Sequence, residues 1–130
     1  MFALAASLVA FGGVVAQSAD APAQPKRTIL ERHDQSGVPG YEIVLGTAEL
    51  PAGTVIDWHI HHGDESGYVL SGNLVLRVKG QPDRVLKAGD YFFNPAGLVH
   101  SLAAAPGSDG GKAVSTWIVE KAKPLAEPAP

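Results

Sequence analysis

From Arg27 to Lys121 turn-forming residues break the chain so often that no apolar run is long enough for a helix. The interruptions are SGVPG at Ser36 to Gly40, LPAG at Leu50 to Gly53, SGN at Ser71 to Asn73, KGQPD at Lys79 to Asp83, AGD at Ala88 to Asp90 and PGSDGG at Pro106 to Gly111. Each offers Gly, Pro, Asn or Asp where a tight turn needs a positive φ, a fixed φ or a local side-chain hydrogen bond. Between them stand short runs rich in β-branched and aromatic residues, without a helical period. The expected strands are Thr28 to His33, Tyr41 to Leu50, Thr54 to His61, Gly67 to Leu70, Asn73 to Lys79, Arg84 to Lys87, Tyr91 to Asn94, Val99 to Ala104 and Ala113 to Glu120. Strands this short and evenly spaced predict an all-β fold, a small antiparallel β-barrel or sandwich.

At 130 residues the chain is sized for one domain. A hydrophobic fraction of 45% and a charged fraction of 18% are those of a globular protein. With 10 Lys and Arg against 13 Asp and Glu the formal charge is -3, and no basic run or aromatic-interleaved patch is present, which disfavours a nucleic-acid partner. The lack of cysteine removes both disulfides and thiolate ligands, so a metal would have to be held by nitrogen and oxygen. A small folded part buries a little over ~60% of its unfolded surface, so the contacts of a homodimer would help.

Residues 1–16, MFALAASLVAFGGVVA, carry no charge and place Val14 and Ala16 where a signal peptidase needs small residues. The expectation is a secretory signal peptide and a secreted or periplasmic protein. The run is shorter than the ~20 residues of a spanning helix and is broken by Gly12 and Gly13, so no stable membrane insertion is expected after signal removal. No Lys or Arg precedes it, which leaves open whether Met1 is the true start. Residues 17–26 read as a flexible lead-in, 27–121 as the folded domain, and 122–130, AKPLAEPAP, as a disordered Pro/Ala-rich tail.

Two glycine-bounded segments carry the chemistry: GTVIDWHIHHGDESGYVLSG from Gly53 to Gly72, and GDYFFNPAGLVH from Gly89 to His100. Residues two apart on a strand share a face, so His59 and His61 can both point into a barrel while Trp58 and Ile60 point away. Glu65 follows the bend His62-Gly63-Asp64 and can bring a carboxylate oxygen to the same place. His100 comes from another strand, started by the turn Pro95-Ala96-Gly97. Three imidazoles and one carboxylate suit one divalent transition metal, Fe, Mn, Ni, Cu or Zn, and leave positions open on an ion that prefers six ligands. A single buried histidine is more often a hydrogen-bonded core residue. It is the set of four that points to a metal.

The remaining candidates divide less sharply. His62 alternates away from the lumen and is expected at the solvated surface, and His33 at the surface or an edge. Asp57 shares the face of His59, where its carboxylate either orients that imidazole or is merely solvated. Tyr68 is expected to pack between strands rather than mark the mouth of the site. Trp58 and Trp117 read as core or dimer-contact residues, without chemistry. Val55, Val69, Phe92 and Leu102 are expected to line the lumen. If Leu74, Leu76 and Val78 face inward, Arg77 points out; a one-residue shift of register would put that cation inside and favour an acidic substrate.

Together the two segments resemble the cupin superfamily. The first matches its motif as Gly53, five residues, His59, one residue, His61, three residues, Glu65, six residues, Gly72. The second matches as Gly89, five residues, Pro95, one residue, Gly97, two residues, His100. The asparagine the family carries four places later is Ala104 here; it is not a ligand, so only local packing is affected. The resemblance implies a jelly-roll barrel, the double-stranded β-helix, with an ion near its middle bound by His59, His61, Glu65 and His100. The 16-residue gap from Asn73 to Ala88 is similar to that of compact single-domain bacterial members of quercetin-dioxygenase-like type.

A fold hosts many activities, so the functional expectation is broader. The resemblance favours a metal-dependent oxygenase or oxidoreductase acting on a small apolar or aromatic oxygenated substrate, with Glu65 as the catalytic proton acceptor. The competing class is a non-enzymatic periplasmic cupin that binds a metal or senses a small molecule. A sugar isomerase or epimerase would need more inward polar groups than the sequence offers.

Overall fold

The computed structural model of the protein describes residues 21–130. The expected signal segment 1–16 and the first part of the lead-in lie outside the described residues. From Lys26 onward the elements are all strands: β1 (Lys26–Asp34), β2 (Tyr41–Pro51), β3 (Val55–Ile60), β4 (Gly63–Val78), β5 (Arg84–Lys87), β6 (Tyr91–Asn94), β7 (His100–Ala104), β8 (Gly110–Glu120) and β9 (Glu127–Pro128). The described residues contain no helix long and apolar enough to cross a membrane.

The strands form a curled antiparallel sheet in the order β1-β2-β8-β4-β7-β3-β9, with β5 and β6 also paired to β4. Two halves of the sheet face each other across the core, which is the all-β, cupin-like barrel expected. The fold-over lies within β4. Its first half pairs with β8 and β6, and its second half, from Asn73, pairs with β5 and β7.

A turn expected at Ser71 to Asn73 is therefore a bend inside one 16-residue strand. Two local features absorb the change of direction: the β4–β8 register shifts between Val69 and Ser71, and Gly72 sits at φ 73°. A left-handed φ favours glycine. The bend also brings Gly72 so close to β8 that a Cβ there would lie 2.0 Å from the Gly110 carbonyl oxygen.

Alternation along the strands sorts side chains between core and solvent. Leu50, Val69, Leu74, Leu76, Leu86, Phe92, Leu102, Ala104 and Ala113 form the main cluster. Each large member contributes roughly 1.5 to 3 kcal/mol through burial. Toward one end of the barrel the lining changes: Val44, Trp117, Glu65 and Asn94 stand side by side across β2, β8, β4 and β6. All four are buried, and Trp117, Glu65 and Asn94 form one wall of the site.

The segment expected to be a disordered tail is ordered. Leu125 packs on Val44, Trp117 and Val119, and β9 adds to the open edge of β3 through His59↔Pro128 and Ile60↔Glu127. Its composition cannot build a core of its own. An existing strand edge, however, supplies the backbone partners it lacks.

Candidate metal centre

β3 delivers the first two imidazoles, though not by simple alternation. The β3–β7 register shifts between Ile56 and His59, so Ile56 and His59 both turn inward while Asp57 and Trp58 are exposed. This corrects two expectations. Val55 is 38% exposed rather than in the lumen, with Ile56 in its place. The Asp57 side chain does not reach His59; its backbone carbonyl oxygen does, 2.6 Å from Nδ1.

His61 follows the end of β3, and its carbonyl accepts the Gly97 N–H at 3.0 Å. That bond pins the Pro95-Ala96-Gly97 turn beside the first segment, together with Ala96 N–H donating to Asp64 Oδ1 at 3.1 Å. The turn starts β7, whose first residue, His100, pairs directly with His59. The ring centroids of His59, His61 and His100 are 4.3 to 5.2 Å apart, and ligand-capable nitrogens of all three lie within 4.8 Å of one another.

All three rings are oriented the same way. Nδ1 of His59, His61 and His100 faces the backbone carbonyl of Asp57 at 2.6 Å, Leu125 at 2.5 Å and Leu98 at 2.8 Å respectively. A carbonyl only accepts, so each Nδ1 carries the proton and each Nε2 keeps a lone pair directed elsewhere. Glu65, at the start of β4, places Oε2 3.3 Å from Nε2 of both His61 and His100. Asn94 on β6 donates Nδ2–H to that same oxygen at 2.8 Å.

Lone pairs and a carboxylate so disposed repel one another unless a cation lies among them. Two ligand atoms each ~2.1 Å from one ion stand roughly 3.0 to 3.4 Å apart, which the Glu65 spacings match. The residues present therefore fit an ion bound by nitrogen and oxygen. Buried Asn94 Oδ1 has no partner, as expected of an acceptor beside a site made for a bound group.

The electrostatics agree with a cation site. Burial first, then the neighbouring imidazoles and Arg27, holds His59 down at about 4, so it is neutral and available as a ligand at neutral pH. For Glu65 burial opposes the charge, but donation from His100 and His61, when either carries a proton on Nε2, and from Asn94 outweighs it and holds the carboxyl well below its ordinary range.

Other residues fall as follows. His62 is partly buried and lies 2.6 Å from Glu127 on β9, and His33 pairs with Glu31 on the exposed face of β1. Tyr68 is half exposed and stands beside Tyr91 across β4 and β6. Arg77 points outward to Asp83 at 3.4 Å, as the inward Leu74 and Leu76 require. Sequence reasoning gave no role to Trp117, whose indole N–H donates to His61 Nε2 at 3.2 Å, and none to Asn94 or Arg27. Only the glycine-led spacing placed Asn94 near the motif, and nothing in the local sequence marks the other two.

The lumen cavity lined by His59, Glu65, Asn94, His100, Trp117 and Arg27, with apolar Ile56, Leu76, Phe92 and Leu102, measures about 20 Å³. That is room for one water or ion. A larger open hollow of about 510 Å³ lies behind His61, against His62, Gly63 and Ala96. Both nitrogens of His61 are engaged away from it, by Leu125 and Trp117.

An all-β barrel with three imidazoles buried at one end defines a class of metal-site barrels. The cupin domain family model matches residues 46–118, and the chain belongs to that family. It is 35% identical over 52 residues to the dimethylsulfoniopropionate lyase DddQ of Ruegeria pomeroyi, which covers 40% of this chain and 26% of that protein. Over 48 residues it is 44% identical to the 3-hydroxyanthranilate 3,4-dioxygenase of Bos taurus, covering 35% of this chain and 17% of that one. The chain thus spans about a quarter or less of the curated relatives it matches. A cupin-like protein of Thermotoga maritima superposes with a TM-score of 0.57 at 26% identity, over 81% of this chain and 75% of that one.

Proposed function

We propose that this cupin is a metal-dependent enzyme of oxygenase or oxidoreductase type, in which His59, His61, His100 and Glu65 hold one divalent transition ion. The observation that carries the reading is the common orientation of the three rings, each Nδ1 tied to a carbonyl and each Nε2 facing the cluster, that of His61 accepting the Trp117 N–H. When bound, such an ion supplies Lewis acidity and positions for a substrate oxygen or dioxygen. Similarity to a named dioxygenase supports the reaction type.

For Glu65 to accept a substrate proton, the bound substrate or ion must loosen the contacts that hold its carboxyl well below the ordinary range and make it a weak base. Its Oε2 takes the contacts with Asn94, His61 and His100, and none of them falls on Oε1. The apolar wall of Ile56, Leu76, Phe92 and Leu102 excludes water. Substrate size follows from the lumen. An aromatic ring occupies a cavity of roughly 150 Å³, so a space of about 20 Å³, room for one water or ion, cannot take one. Of the small apolar or aromatic substrates expected, the lumen favours one that leaves its bulk at the rim.

The same tightness favours one second reading, a cupin that binds the metal without turnover. Metal analysis of the protein and of His59→Ala and His100→Ala tests the site; full stoichiometry in both variants rules it out. Oxygen uptake with small enols, diketones and hydroxy acids on the Fe, Mn, Ni and Cu forms then separates the two readings. Uptake supports the enzyme, and silence on every form supports the binding protein.

A further inference from the structure

Among the described residues, Arg27 is the one Lys or Arg lining the lumen cavity. It stands on the edge strand β1 opposite Ala48 of β2, and Ala48 in turn pairs with Ala113 of β8. These small neighbours leave a shallow path along the inner face, and the guanidinium reaches Trp117, with Cζ 5.7 Å from the ring centroid. Arg27 is exposed on β1 and yet lines the site, so it links rim and lumen.

Its charge is committed nowhere else. The ion pairs among the described residues use Arg32, Arg77, Lys112 and Lys121, each at the surface, and Arg27 is in none of them. The Glu65 carboxylate acts on it through space, and burial opposes its charge, but a guanidinium stays protonated under both influences. A planar fork of donors standing over an indole suits a planar, bidentate acceptor.

We propose that Arg27 anchors the carboxylate of the substrate, making the substrate class small monocarboxylic acids with a second oxygen two or three bonds away. The carboxylate would rest on Arg27 at the rim while the second oxygen points to the imidazoles. With one carboxylate, Glu65, already beside that one cation, a monoanion is repelled less than a dianion such as phosphate. The lumen, with room for one water or ion, keeps the carbon chain of the acid at the rim and so limits its length. This deepens the proposed function, because it names the acid that the same site would take.

The test uses Trp58→Phe protein, in which Trp117 is the remaining tryptophan, titrated with lactate, lactamide and inorganic phosphate, metal-free and again loaded with Mn(II). Lactate is expected to change Trp117 fluorescence saturably, with lactamide and phosphate at least about tenfold weaker. Arg27→Gln should weaken lactate about tenfold or more and leave Mn(II) affinity within about twofold, and Arg27→Lys should recover part of the loss. Equal lactate binding in Arg27→Gln, or lactamide binding as well as lactate, overturns the anchor. Tighter binding of phosphate than of lactate overturns the monoanion assignment. Failure to take up Mn(II) counts against the metal reading alone, because the metal-free titration still judges Arg27.

Discussion

The indole Nε1 of Trp117 donates to Nε2 of His61 at 3.2 Å, which places a tryptophan on the nitrogen that faces the imidazole cluster. An ion using that lone pair must displace the indole N–H. In Trp58→Phe protein, Zn(II) is therefore expected to shift Trp117 emission in step with metal uptake, and His61→Ala should abolish the shift. An unchanged spectrum after one full equivalent of bound metal would place the ion away from His61.

Asn94 is the donor that fixes Glu65, at 2.8 Å and fully buried. Asn94→Val removes that bond while keeping the strand pairing of β6 with β4. Metal affinity should fall roughly 10- to 100-fold, the usual effect of losing a group that orients a ligand. Competition with a chelator of known affinity measures it, and wild-type affinity in the variant would show that Glu65 needs no such support.

The metal-free barrel should lose stability in mild acid. His59 is held at about 4 against an ordinary 6.5, mainly by burial. Between those two values the unfolded chain takes the proton and the folded one does not. Stability is then complete above pH ~6.5 and declines as pH falls toward ~4, by ~3 kcal/mol from this group. Glu65, also depressed, acts in the same direction at lower pH. Urea unfolding at pH 7, 5.5 and 4 follows the decline, which His59→Gln should flatten; a flat wild-type profile would contradict the account.

Removal of residues 124–130 takes away the Leu125 carbonyl that orients His61 and the β9 pairing on β3. Lost packing of Leu125 on Val44, Trp117 and Val119 together with lost hydrogen bonds should cost about 2 to 3 kcal/mol of stability. Metal affinity should drop about tenfold as the ring gains freedom. A truncated protein with the parent's unfolding midpoint and affinity would show that the segment supports neither.

Gly72→Ala should be more damaging than an ordinary strand glycine substitution. The residue sits at φ 73°, and the new methyl group would meet backbone oxygen of Gly110 at 2.0 Å. A cost of roughly 3 kcal/mol or more is expected from strain and displaced strands together, read from thermal unfolding. A loss within ~0.5 kcal/mol would mean that the β4 bend tolerates a side chain.

Much of the barrel was legible because strands this short announce themselves. Arg84–Lys87 and Tyr91–Asn94 coincide with their predicted bounds, since turn residues close both ends of each. The SGN segment misled because the same residues that make a hairpin also permit a bend inside a continuous strand. Val55 and Asp57 were misplaced for a similar reason: alternation assumes regular pairing, and the register shift before His59 breaks it.

The sequence by itself determined the candidate donors, His59, His61, Glu65 and His100, and the glycine-led turns that let two distant segments meet. Covalent spacing and the two-residue period of a strand are local properties, readable without a fold. Tertiary structure alone decided the surroundings: Trp117 and Asn94 beside the ligand set, Arg27 at its rim, and Leu125 behind His61. Each of these comes from a strand or segment far away in the chain. Which of them reaches the site depends on register and curvature summed over the whole sheet, and no short stretch of sequence carries that information.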